Sequence, residues 1–287
     1  VITVTFFATR AVPGGPFASE KAITPAAKAA LEAKYGLDKP VLEQYTTYLK
    51  DIVLHFDFGP SLKQRGRQVI DVITDGLKTS AKLGVIAAFA SLICGVVLGA
   101  IAALRRNKVI DRVIMVITTA FVSMPSFIMG SLMLVAFSIK LAILPANGST
   151  TEGLILPVIT LALYPTAYIT RLTRSSMLDV LGQDYIRTAK AKGVPGKRII
   201  FGHALKNSLI PVITYFGPML AYIVTGSLVV EQIFAVPGIG RAFVNSIINR
   251  DYPLIMGTTI VLAALIVIMN LVGDILYKVV DPRINLE

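Results

Sequence analysis

The chain has 287 residues, of which 54% are hydrophobic and only 16% charged, with a formal net charge of +11. Soluble domains average about 25% charged residues, so this composition excludes an ordinary soluble globule and indicates a membrane protein. The positive charges alternate with apolar spans and form no continuous basic face, which argues against nucleic acid as a partner and reads instead as loop charge.

The single cysteine, Cys94, lies in an apolar run and rules out an intrachain disulfide. The two histidines, His55 and His203, are far apart and lack Cys or carboxylate spacing around them, so no metal site is expected. Val1 to Ala8 is apolar and has neither the basic region nor the cleavage site of a signal peptide. Residues 1–10 are therefore expected to be the remnant of a first transmembrane helix.

Residues 11–82 are the most soluble-looking part and are expected to form a helical segment outside the cell. Thr24-Pro25 reads as an N-cap followed by proline at the first helical position, and Gly36 as the helix end. Asp38 is expected to cap a second helix with Val41, Tyr45, Tyr48, Leu49 and Ile52 on one face. FDFGPS (56–61) reads as a turn, and Val69, Ile73 and Leu77 as an amphipathic approach to the membrane. Two readings of this segment stand side by side: a small cap with no task of its own, or a docking surface for an external protein.

Residues 83–287 are expected to form the membrane core, with five spans. Leu83 to Leu104 is uncharged and covers roughly 33 Å, about the hydrocarbon thickness. Its Gly95 and Gly99 form a small-xxx-small pair that admits a neighbouring helix. The loop RRNKVIDR carries Arg105, Arg106, Lys108 and Arg112, which places it in the cytoplasm. Val113 to Ile139 is broken at Met124-Pro125-Ser126, where proline removes a helix hydrogen bond and a bend is expected. Residues 140–153 form an outer loop. Leu154 to Thr170 returns through Pro157 and Pro165 to Arg171 and Arg174. A fifth span runs outward from about Ser208 through Pro211 and Pro218 to Val230, and Glu231 to Pro253 lies outside or at the outer interface. Leu254 to Val280 returns to the cytoplasm, where both termini are expected. Pro125, Pro165 and Pro218 are the expected helix bends.

No span carries a charged residue near its centre, which disfavours a proton relay or an intramembrane hydrolase. Asp274 is the nearest candidate and reads as a helix-end acid. GVPGKR (193–198) fails the phosphate-loop pattern because position 191 is Ala and 198 is Arg, and PGIG (237–240) lacks the strand-to-helix setting of a dinucleotide site. The chain thus holds no ATP site, catalytic residue or cofactor of its own.

The exception to this apolar second half is a cytoplasmic loop at 175–209. Its stretch from Asp184 to Pro211 holds Arg187, Lys190, Lys192, Lys197, Arg198 and Lys206 against one acid, Asp184. A cation at the bilayer centre costs about 2.5 to 3.5 kcal/mol on insertion scales, so the stretch sits in water. Asp184 is expected to cap a short helix ended by Gly193, and Pro195 to start a second helix through about Asn207. An ordered connection of this length is long for a featureless loop.

Arg187-Thr188-Ala189, with Gly193 four residues on, resembles the coupling-loop signature of bacterial ATP-binding-cassette importer permeases, a Glu-Ala-Ala-like run before a glycine. The general signature's later Ile-x-Leu-Pro is replaced here by His203, Ala204, Leu205 and Lys206. RTAKAKG followed by HALKNSLIP is similar to the form used in the peptide and nickel branch. RAVPGGPF (10–17), FDFGPS, MPSF (124–127), PGIG followed by NRDYP (249–253), and DPR (281–283) agree with that branch, and the long segment between the first two spans is similar to the first of its two permease subunits.

The resemblance implies an all-α integral membrane protein with six transmembrane helices, the first truncated, in the type I importer permease fold. It implies a second permease subunit, two cytoplasmic ATPases carrying ATP and Mg, an extracytoplasmic binding protein and a peptide substrate, at the bacterial plasma membrane. Asp184 to Gly193 would enter the ATPase groove, with Ala189 and Gly193 giving close approach, Asp184 the helix start, Arg187 and Lys190 surface pairing, and Tyr185 and Thr188 within the same contact. Nickel chelates and glutathione-like compounds are alternative cargoes in the same family. A stand-alone secondary transporter is the competing reading, with a membrane-embedded enzyme behind it.

Overall fold

The computed structural model describes residues 1–13, 15–17 and 25–280, the side chains of 25–28, 276, 277, 279 and 280 excepted. The expected Thr24 cap and the DPR stretch at 281–283 lie outside the described residues. Helices dominate, and among the described residues the only β feature is an isolated bridge between Pro60 and Gln68. The chain divides into two compact units, residues 1–79 with 237–265, and residues 80–236 with 266–287.

The first unit contains α1 (Ile2–Ala11), α2 (Pro25–Lys34), α3 (Val41–His55) and α12 (Ile239–Ile248), the start of α4 (Val69–Leu104) and the start of α13 (Tyr252–Val280). Asp38 does not cap α3, contrary to expectation. The N-cap is Pro40, and the turn is closed instead by Gln44, whose amide donates to the carbonyls of Leu37 (3.1 Å) and Lys39 (2.8 Å). A side chain with two donors satisfies two carbonyls at once, which a carboxylate cannot do. Of the expected apolar face, Ile52 is buried in the unit's core and Tyr48 packs against it, while Val41 remains 44% exposed. Phe56 ends α3 in the left-handed conformation (φ 52°) and Gly59 follows at φ 78°, so FDFGPS turns sharply.

That turn is held by the NRDYP segment. Asp251, 1% exposed, accepts hydrogen bonds from the Ser61 hydroxyl and from the backbone N–H groups of Leu62 (3.1 Å) and Lys63 (3.3 Å). Behind it, Phe58, Val69, Ile73, Ile239 and Leu254 form a shared core. A Cβ on Gly76 would lie 2.9 Å from the Ile239 nitrogen, and one on Gly257 would lie 2.5 Å from Val69, so both glycines are dictated by close helix approach.

The second unit holds the remainder of α4, then α5 (Val109–Ser123), α6 (Ser126–Lys140), α7 (Ile155–Leu181), α8 (Asp184–Ala191), α9 (Gly196–Ser208), α10 (Ile210–Val224) and α11 (Leu228–Ile233). The expected membrane approach and second span are one helix: α4 runs 36 residues without interruption, about 54 Å. A Cβ on Gly99 would sit 2.5 Å from the Thr170 carbonyl oxygen, and one on Gly95 would sit 2.6 Å from Ile169, so the small-xxx-small pair is the seat for α7.

The break at Met124-Pro125 turns the chain by 108° between α5 and α6, with Pro125 as the N-cap of α6. Helix α7 continues through Pro165 and past Arg171 and Arg174 to Leu181, a longer helix than the expected Leu154–Thr170. Helix α10 likewise continues through Pro218. The 49° change of direction falls earlier, at Leu209 between α9 and α10, ahead of Pro211. The fifth span is correspondingly shorter than expected, because Thr225 and Gly226 (φ 96°) end α10 before α11 begins. Among the described residues three helices are long and apolar enough to cross a membrane singly, and up to five spans result if each bent pair, α5 with α6 and α9 with α10, counts as one.

Candidate functional site

The site is the helical hairpin from Gln183 to Ser208. Helix α7 passes into it with only Gly182 and Gln183 between. Gly182 donates to the Leu178 and Asp179 carbonyls and Gln183 to the Val180 carbonyl, which closes α7, and the extended Gln183 then turns the chain into α8. Asp184 does not cap α8. Gln183 holds the N-cap position with no side-chain cap bond, and Asp184 is the first helical residue. There its charge favours the positive end of the helix dipole without accepting a backbone hydrogen.

Helix α8 presents most of its surface to solvent. Ile186 is fully buried and Ala189 half-buried, while Asp184, Tyr185, Arg187, Thr188 and Lys190 are exposed. The Arg187 guanidinium lies 3.3 Å from Asp184 with both side chains largely in water, where such a pair holds a rotamer and adds little stability. Thr188 donates to the Asp184 carbonyl at 3.0 Å. Tyr185 accepts from the Asn207 amide at 2.9 Å, which ties α8 to the end of α9.

Gly193 ends the helix for a conformational reason. It sits at φ 77°, its N–H donates to the Lys190 carbonyl, and the N–H of Val194 donates back to Ala189, the double closure of a Schellman motif. A Cβ there would meet nothing within 4 Å, so within this chain the glycine answers to φ and not to crowding. Helix α9 returns beneath α8 through a π-helical stretch, Ile199–Leu205. Ala204 packs with Met177 and Ala103, and Ile200 and Leu181 flank them. The hairpin is thus seated on the end of α7 by its apolar side and shows cations and one acid on the other.

A second arrangement near this end was not visible as a pair in the sequence. Asp111, at 3% exposure, accepts from Arg174 Nε (2.6 Å) and Nη2 (2.8 Å), and from the backbone N–H of Asn107 (2.8 Å). Arg171 donates to Thr119 at 2.6 Å on the same two helices. Arg171 and Arg174 read as loop charges in the sequence because helix length is not marked there. The one local signal was an acid, Asp111, inside an otherwise basic loop. Glu231, expected at the outer interface, is fully buried and accepts from the Ser80 hydroxyl at 2.7 Å. Among the described residues no three His, Cys, Asp or Glu side chains gather where they could hold a metal ion.

Residues 95–286 match the family model described as binding-protein-dependent transport system inner membrane component. The chain is 47% identical over 288 residues to the dipeptide transport system permease protein DppB of Bacillus subtilis, covering all of this chain and 93% of that one. It is 45% identical to the oligopeptide transport system permease protein OppB of Salmonella typhimurium, covering 99% of this chain and 94% of that one. Among solved structures, a chain of the MetNI methionine ABC transporter in an inward-facing conformation superposes with a TM-score of 0.60 at 16% identity, over 74% of this chain and 97% of its own length. An amino acid ABC transporter with histidines superposes at 0.55 and 18% identity, over 75% and 95%.

Proposed function

Because the chain belongs to the family of binding-protein-dependent transport system inner membrane components, and its fold is that of type I ABC importer permeases, we propose that it imports short peptides and is driven through α8 by separate ATPase subunits. In this reading it lines half of a translocation path, with a second permease subunit lining the other half. Two cytoplasmic ATPases carry ATP and Mg, and an external binding protein delivers the peptide. The 175–209 loop faces the cytoplasm, residues 1–10 belong to the first spanning helix, and 11–82 face outward ahead of the 83–287 core. Peptide cargo is supported by full-length relatives named for dipeptides and oligopeptides, which leaves nickel chelates and glutathione-like compounds without a specific observation in their favour.

The observation that supports the coupling role is the geometry of α8. It is a two-turn helix with a fixed glycine stop, packed on the π-helical stretch of α9 with Ile186 buried and Arg187, Thr188 and Lys190 turned to solvent. A short exposed helix joined to a spanning helix by a two-residue link, and tied through α9 to the end of that helix, acts as a lever: a body that grips it displaces α7. ATP binding that draws the two ATPases together would move the gripped helices and switch the path between outward and inward access.

The test is a crosslink. With Cys94→Ala removing the native thiol, Thr188→Cys is paired with a cysteine in the groove of the cognate ATPase and oxidised mildly in membranes. A disulfide whose yield changes with ATP is expected. Its absence, with the chain transporting unaided in liposomes, would overturn the reading and favour a stand-alone transporter.

A further inference from the structure

The pair formed by Asp111 and Arg174 is an ionic group of the second unit that the proposed contact with the ATPase does not use. Its place in the chain is specific. Arg174 lies on α7 ten residues before Asp184, separated from α8 by two helical turns and the hydrogen-bonded Gly182-Gln183 link. Asp111 lies in the first turn of α5, and its second oxygen also fixes Asn107, a non-glycine residue held at φ 63° in the loop after α4. One carboxylate therefore joins α7, α5 and the 105–108 loop.

The geometry restricts sliding. Arg174 engages through two parallel N–H···O bonds, a planar fork that fixes orientation as well as distance. Arg171 to Thr119 adds a second rung eight residues further along α5, so the antiparallel pair is pinned at two levels and resists both shear and rotation. A buried ion pair of this kind is poor evidence for stability, since apolar residues of similar volume often replace it without loss, and its attested use is to select one arrangement over others. At the far end of α5 the contrast is complete: Met124-Pro125 breaks the helix with a 108° turn, and Pro125 supplies no N–H to bridge the break.

We propose that Asp111 and Arg174 are positioning residues for transport: they bind α5 and the 105–108 loop to α7, so that these elements follow α8 as one body and the Met124-Pro125 break absorbs the displacement. This rests on the reading of α8 as the ATPase contact. Without the pair, α8 still docks and ATP is still hydrolysed, but α5 no longer follows.

The experiment uses the complete transporter, with both permeases, the ATPases and the binding protein, in proteoliposomes with a short peptide. Peptide taken up per ATP hydrolysed is compared for the parent, Asp111→Asn, and the apolar pair Asp111→Leu with Arg174→Met. Each is also measured for complex yield and for the Thr188 crosslink. Both variants are expected to assemble and crosslink like the parent while uptake per ATP falls about fivefold or more, the low end of ordinary coupling between sites. A parental ratio in both variants would overturn the proposal. Failure of the apolar pair to assemble would overturn it too, because the pair would then be structural. Loss of the Thr188 crosslink in the parent would instead count against the coupling role of α8 itself.

Discussion

Asp251 and the helix α8 are held by contrasting means. Asp251 sits at 1% exposure and gathers donors from Ser61, Leu62, Lys63 and, at 3.4 Å, Leu254, so two segments nearly 190 residues apart are joined by one buried carboxylate. Helix α8 rests on one fully buried residue, Ile186, and turns its charged side chains to water. The first arrangement spends its polar groups inward and leaves nothing to offer a partner. The second keeps its cations in water, Arg187 paired only with Asp184 of the same helix, as the proposed docking role of α8 requires. Burial fixes a junction, and exposure keeps a contact available.

The largest expected effect lies at the buried end of this comparison. Asp251→Ala strands the Ser61 hydroxyl proton and the Leu62 N–H, and should destabilise the first unit by about 3 kcal/mol. Thermal unfolding of the detergent-solubilised protein measures it, and a change below 1 kcal/mol, taken as roughly the worth of one ordinary hydrogen bond, would remove Asp251 as the anchor. Between the extremes stands Gly193→Ala, which forces an L-residue into the left-handed region at about 1–2 kcal/mol. Because the side chain meets no neighbour, that strain should fray α8 locally, seen as faster amide exchange over 184–193 with little change elsewhere. At the exposed end, Arg187→Ala should change unfolding by no more than about 0.5 kcal/mol, as surface substitutions do. Any weakening it causes should appear only in retention of the ATPase subunits during purification. A large loss of stability on Arg187→Ala would erase the distinction between the two regions.

The same contrast explains what was legible beforehand. Gly193 as a helix stop, the break at Pro125 and the Gly95/Gly99 seat are each written within a few residues, because they depend on φ, a missing N–H or a missing Cβ. The expected caps at Asp38 and Asp184 failed for the complementary reason. A capping residue has several equivalent local solutions, and Gln44 in one case and the extended Gln183 in the other displaced them. Pro165 and Pro218 show that proline within an apolar span marks no helix end by itself, since both lie inside helices that continue beyond them.

The sequence by itself determined that the chain is a helical membrane protein, where its apolar runs lie, that a basic helix-glycine-helix stretch interrupts them, and which family it resembles. These follow from transfer free energy and local backbone preference, which act along contiguous residues. Only the tertiary structure decided that FDFGPS and NRDYP meet through Asp251, that α4 is one helix of 36 residues, and that Arg174 is a buried partner of Asp111 and not a loop charge. Each depends on which distant group can satisfy a buried donor or acceptor, and that is set by how helices pack, not by the residues beside it.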